Sequence, residues 1–178
     1  AEPLNDEVLA VVTDFLDAGG QVVIFGGFNL EGGSTLAGAD NISAYLADNF
    51  GLRMRDDYVF DPPNSSQFGT LVSNLGVHPV INIMRPEQFL LMDLPHSIDV
   101  SETAPENVTT TVLASSGEEG YAKNDLDFSD EITNEDIQPA DDDLTGELPL
   151  AVAAENSETG ARLVLFGSES LLYNQFAQ

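Results

Sequence analysis

The sequence predicts an α/β fold: a mostly parallel sheet with helices on both faces and a C-terminal antiparallel hairpin. Three observations point there. Short β-branched runs alternate with amphipathic helices early in the chain, a hairpin-length turn joins two late strands, and Leu163 to Phe166 is continuously apolar, as suits a strand covered on both faces. Asn5 caps a helix from Asp6 to about Ala18, with Val8, Leu9, Val12, Phe15 and Leu16 on one face, acids in the first turn and Gly19-Gly20 as the stop. Gln21 to Phe25 is the first strand, and Gly26 to Thr35 is loop. Asp40 or Asn41 caps a second helix carrying Ile42, Tyr45, Leu46 and Phe50, which Gly51 ends. Tyr58 to Phe60 is a strand closed by Pro62-Pro63.

From Asn64 to Pro86 the pattern is irregular, with GVHPVINIM as its apolar island. Strands are expected over Gln88 to Leu94, Thr109 to Ala114, Leu148 to Glu155 and Ala161 to Phe166, with NSETG turning between the last two, and a helix from Ser168 to Phe176. The reading is one domain over residues 1–178, large enough at 42% hydrophobic to bury a core.

Charge is the strongest compositional signal: 31 acids against five Lys and Arg leave a net charge of −26. Such a surface repels nucleic acid, so no nucleic-acid partner is expected. It suits high salt, where screening relieves self-repulsion, and a salt-loving source explains it; an acidic extracytoplasmic domain is the alternative. About a dozen acids crowd residues 118–147 around Lys123, the single lysine, which predicts an acidic loop or flap. The absence of cysteine removes disulfides, thiolate metal sites and a cysteine nucleophile. No apolar run reaches the roughly 20 residues of a membrane span, and Ala1-Glu2-Pro3 does not read as a signal peptide, so any anchor is expected outside this sequence.

The motifs favour backbone roles over chemistry. Gly167-Ser168-Glu169-Ser170-Leu171 lacks the second glycine of a nucleophile elbow, and Ser168 stands where a helix cap belongs. FGGFNLEGG follows a strand, but neither dinucleotide nor Walker spacing can be aligned and Glu31 would oppose a phosphate. Asp125, Asp127, Ser129 and Asp136 have calcium-loop spacing, yet Asp130 replaces the turn glycine and no glutamate closes the loop, so no metal site is assigned. His78 and His96 each adjoin a proline and suit loop packing, and Arg53 and Arg55 pair with local acids.

Taken in order, the segments FLDAGGQVVIFGG, YLADNFGL, VFDP, HPVI, TVLASS, GELPLAVAAE and ARLVLFGSESLLYN resemble a known family over nearly the whole chain. It is the extracytoplasmic domain of the gliding-motility-associated auxiliary proteins of an uncharacterised ABC-type transport system. The matching places are Gly19-Gly20, Asp61, His78-Pro79 and Gly146; Glu147-Leu148 parts Gly146 from Pro149, a departure from the family's Gly-Pro. The resemblance implies a three-layer Rossmann-like sheet of the flavodoxin or class I glutamine amidotransferase kind, and a further strand before Asn5. It also implies a fragment of a larger protein, held outside the cytoplasm by membrane helices, whose partners are a membrane permease or other ABC subunits. Amidotransferase chemistry does not carry over, since it needs a cysteine nucleophile, and no cofactor is implied.

The expectation is therefore a non-catalytic auxiliary domain that binds protein or ligand. In open parallel sheets ligands sit beyond the strands' carboxyl ends, so the candidate surface is Gly26, Gly27, Phe28, Asn29, Asp61, Ser115, Ser116, Gly167 and Ser168. One alternative is a hydrolase using Ser168 or Ser115 with His78, or the acidic loop with a metal. The other is a solute-binding receptor with a deep polar pocket.

Overall fold

The computed structural model describes residues 4–26, 28–29, 33–34, 40–66, 69–82, 84, 88–124, 126, 128 and 132–172. Helix α1 (Asp6–Asp17) leads into β1 (Gln21–Phe25); β2 (Phe28–Asn29) and β3 (Gly33–Ser34) pair with each other before α2 (Asp40–Phe50). Then come β4 (Leu52–Met54), β5 (Tyr58–Phe60), β6 (Ser65–Ser66), β7 (Gly69–Val72), β8 (Asn74–Leu75), β9 (Leu90–Asp93) and β10 (Ile98–Val100). The chain continues through β11 (Val108–Ser115), β12 (Tyr121–Lys123), β13 (Leu144–Thr145), β14 (Pro149–Asn156) and β15 (Arg162–Phe166) to a 3-10 turn over Ser170–Leu172.

The main sheet runs β1-β15-β14-β11-β8. Its one parallel pair is β1 with β15; β15 with β14, β14 with β11 and β11 with β8 are antiparallel. Smaller antiparallel sheets are β13-β12-β5, β6-β7-β9 and β10-β4.

This corrects the predicted fold class. The protein is mostly β, about 36% strand and 17% helix, and is not a three-layer, mainly parallel Rossmann-like sheet. A parallel sheet needs a long crossover between successive strands. Here the chain between β5 and β11 forms short strands, β6, β7 and β9 pairing antiparallel with one another, β8 with β11 and β10 with β4, and no α-helix follows α2 among the described residues. The hairpin β14–β15 lies inside the sheet, and β1 forms its edge.

Alternation along the strands explains the two layers. Leu163, Leu165, Val152 and Ala154 face Leu16 of α1 and Ile42, Leu46 and Phe50 of α2. Val164, Ala151, Ala153 and Leu113 face the opposite way, onto Val59, Val72 and Met92 of the small sheets. Because both faces are covered, the central strands read as continuous apolar runs although their pairing is antiparallel. Each fully buried Leu or Val contributes about 1.5–3 kcal/mol.

Asn5 caps α1, its side chain accepting the Glu7 amide at 2.8 Å. The turn after it is held by Gly20 N donating to Phe15 O at 2.8 Å.

Candidate functional site

The carboxyl ends of β1, β5, β11 and β15 gather at one end of the molecule. Gly26 follows β1 and donates its amide to Phe166 O at 2.7 Å; Gly167 follows β15 and donates to Leu150 O at 2.8 Å while accepting from His96 N at 2.8 Å. A Cβ on Gly167 would stand 2.1 Å from His96 O, and one on Gly26 would stand 2.4 Å from the Met54 sulfur, so close backbone approach requires both glycines. Gly27 lies outside the described residues, and Phe28 and Asn29 are described as backbone of the short strand β2.

Ser168 is buried. Its hydroxyl donates to Asp93 O at 2.9 Å and accepts from Ser170 N at 3.2 Å and from the Ser170 hydroxyl at 2.9 Å. Its single proton is thus directed to a carbonyl, which is not a base that activates a nucleophile, and the Ser170 contact is that of a cap on the 3-10 turn. Of the helix expected from Ser168 to Phe176, residues 170–172 form this 3-10 turn and 173–176 lie outside the described residues. Beneath this cluster, burial raises the Asp93 carboxyl above its ordinary range.

Ser116 is spent in the same manner, accepting from Leu148 N at 2.9 Å and donating to Gly146 O at 3.1 Å. Ser115 accepts from Asn74 Nδ2 at 2.7 Å. Asp61 is 2% exposed; its Oδ2 accepts from Gly117 N at 2.8 Å and Asn64 Nδ2 at 2.9 Å, clamping the turn after β11 onto the turn after β5. Its Oδ1 is buried without a partner among the described residues. The fold thus brings Gly26, Asp61, Ser115, Ser116, Gly167 and Ser168 to one end, where the hydroxyls and Asp61 Oδ2 tie strand tips together.

A second polar cluster escaped the sequence reading. Asp57 is buried and accepts from Ser97 N at 2.7 Å and from the Ser97 hydroxyl, while its carbonyl meets His96 Nδ1. A carbonyl can only accept, so Nδ1 carries the proton. The Tyr58 ring lies 5.0 Å from the His96 ring, and burial, then the carboxylates of Asp56 and Asp57, push the Tyr58 phenol up to about 12. No sequence signal joins these residues, since Asp57 and Ser97 stand 40 positions apart.

The acidic stretch is docked through its one lysine. Lys123 and Asp143 form a buried ion pair at 3.4 Å, Lys123 also donates to Gln138 O at 3.1 Å, and Tyr121 donates to Ile137 O. Leu126, Phe128 and Ile137 pack on Tyr58, Phe60, Leu94 and Tyr121. In the calcium-like spacing, Asp125, Asp127, Ser129 and Asp130 lie outside the described residues. Asp136 accepts from the Thr133 amide at 2.8 Å and hydroxyl at 2.6 Å, bonds that hold its carboxyl below the ordinary range. Among the described residues no group of three or more His, Cys, Asp or Glu is placed to hold a metal ion, and no helix is long and apolar enough to cross a membrane.

His78 sits elsewhere. Its Nδ1 accepts from Val80 N at 3.3 Å, and His78-Pro79-Val80 overhangs a cleft of about 340 Å³ on the sheet face. Val23, Val164, Ala153, Glu155 and Arg162 line it, toward the amino ends of β1 and β15. It is therefore at the end of the sheet opposite the strand-tip cluster.

No family model matches the chain, and a search of the curated proteins finds no match. Among solved structures the chain is similar to one described as "mmIFT52 N-terminal domain", with a TM-score of 0.59 at 13% identity. The likeness covers 98% of this chain and 64% of the length of that one. At such identity it speaks to the fold alone.

Proposed function

We propose that this chain is a non-catalytic interaction domain that works by binding a partner protein or ligand. One observation carries the reading: the Ser116 and Ser168 hydroxyls and one carboxylate oxygen of Asp61, which would have to be available for chemistry, bond backbone groups. Ser168 serves Asp93 O and Ser170 N, Ser116 serves Leu148 N and Gly146 O, and Asp61 serves Gly117 N. Each is a bond whose loss would leave a buried polar group unpaired. Following the family resemblance, the setting we propose is extracytoplasmic, beside an ABC-type membrane system whose permease or other subunits are the partners. The net charge of −26 supports binding to a surface of opposite sign.

The test is co-purification of the chain with a permease and ATPase encoded beside its gene. Stable co-elution that high salt weakens is the expected result. Failure to associate with either would overturn the transport setting, and hydrolytic turnover lost in Ser168→Ala would overturn the non-catalytic reading.

A further inference from the structure

β1 is the end strand of the main sheet, and among the described residues it pairs with β15 alone. The bonds fix which of its groups face outward. Gly26 N donates to Phe166 O and Gly20 O accepts from Arg162 N, and in a parallel pair the residues of a strand alternate in facing the neighbour. Residues 20, 22, 24 and 26 therefore face β15. Gln21, Val23 and Phe25 turn their N–H and C=O groups to the open edge.

The adjoining helix is unfinished on the same side. At about 100° per residue, Leu9, Val12 and Leu16 of α1 point into the core, and Thr13 and Asp17 turn toward α2, where the Tyr45 hydroxyl donates to Asp17 Oδ1 at 2.7 Å. Val8 and Phe15 fall on the opposite flank with Val11 beside them, and the three are 51%, 54% and 70% exposed. The Phe15 ring lies against Gly20, immediately before β1. Val23 is 55% exposed. An unpaired β-branched strand beside an exposed apolar helix stripe is the surface that an added strand covers.

Charge selects the occupant. Glu7 and Asp14, both exposed, border the stripe, α1 has no basic residue in its last turn, and a second copy of the chain would bring another −26. Resting on the interaction-domain reading above, we propose that the β1 edge and the Val8-Val11-Phe15 flank of α1 dock an extended strand of a partner protein. Apolar side chains alternate along that strand, and lysine or arginine flanks it. Backbone pairing to Gln21, Val23 and Phe25 supplies the register, alternate apolar side chains cover the α1 flank, and the basic flanks meet Glu7 and Asp14.

The probe is a short peptide of alternating valine and threonine flanked by lysines, titrated into the isotope-labelled chain, with a glutamate-flanked peptide as comparison. The expected result is amide shifts and slowed exchange at Gln21, Val23 and Phe25, with side-chain shifts at Val8, Val11 and Phe15. Binding weakens with salt and is about tenfold or more weaker for the glutamate-flanked peptide. Val23→Pro removes an outward N–H without touching the β15 pairing and abolishes binding. Should that variant fail to fold, Val11→Lys, on a 70% exposed residue, weakens binding by a similar factor. No binding, equal binding of the two peptides, or shifts at His78, Ala153 and Val164 across the cleft with none at Val8, Val11 and Phe15 would overturn the proposal. So would a dimer dissolved by Val23→Pro, because the occupant would then be a second copy. Co-purification with ABC subunits tests the parent reading separately and can succeed where the peptide fails.

Discussion

β1 and β15 are neighbouring five-residue strands, parallel and in register, with nearly interchangeable sequences, QVVIF and RLVLF. Their fates differ. Leu163, Val164 and Leu165 are buried on both faces, whereas Gln21 and Val23 are exposed and the rest of β1 is half-covered. The difference comes from position: β15 has β14 on its other side, helices above and small sheets below, while among the described residues β1 pairs with β15 alone and has a cleft beneath Val23. Apolar composition makes a strand, and its neighbours decide whether that strand is core or docking surface.

The largest expected effect is on the buried member. Leu165→Ala empties a site between α-helices and sheet and is expected to cost about 2–5 kcal/mol in urea unfolding, whereas Ile24→Ala, its half-covered partner in register, costs distinctly less. Equal losses would break the contrast.

A smaller, pH-dependent effect comes from the interior at Tyr58. Its pKa of about 12 lies above the ordinary value of about 10, so the stabilisation from the protonated phenol is complete below about pH 10 and is lost as the pH rises to about 12. Unfolding at stepped alkaline pH should therefore show stability falling through that window. Tyr58→Phe should reduce the slope, with Tyr45 and Tyr121, also raised chiefly by burial, supplying the remainder.

At the strand tip, Ser168→Ala leaves Asp93 O and Ser170 N without their partner and is expected to cost about 1 kcal/mol, read as a shift of the denaturant midpoint. At the edge, Val23→Thr should change stability by no more than about 0.5 kcal/mol. A loss as large as that of Leu165→Ala would show the edge to be covered.

The contrast also shows what the sequence could carry. The Asn5 cap, the two helices and the runs at residues 21–25, 58–60 and 161–166 were legible because each is written in local spacing. Strand direction was not, since a run covered on both faces reads alike in parallel and antiparallel sheets: the NSETG turn makes the β14–β15 hairpin legible, whereas nothing local shows that β1 joins β15 in the one parallel pair of a largely antiparallel sheet. β6 and β7 are too short for alternation to register, and although β9 lies within the strand expected over Gln88 to Leu94, its pairing with β7 has no local signal. Asp61, Ser116 and Ser168 were legible as strand-tip residues, but their partners Gly117, Leu148 and Asp93 are set by tertiary contacts. The burial of His96 and Lys123 had no local signature.

The most direct measurement is residue-resolved amide hydrogen exchange along β1 and β15 in the unliganded chain. Fast exchange at Gln21, Val23 and Phe25, beside slow exchange at Val22, Ile24 and Leu163 to Leu165, is the predicted result. Uniform protection along β1 would mean that its outer groups are already paired, and would contradict the account.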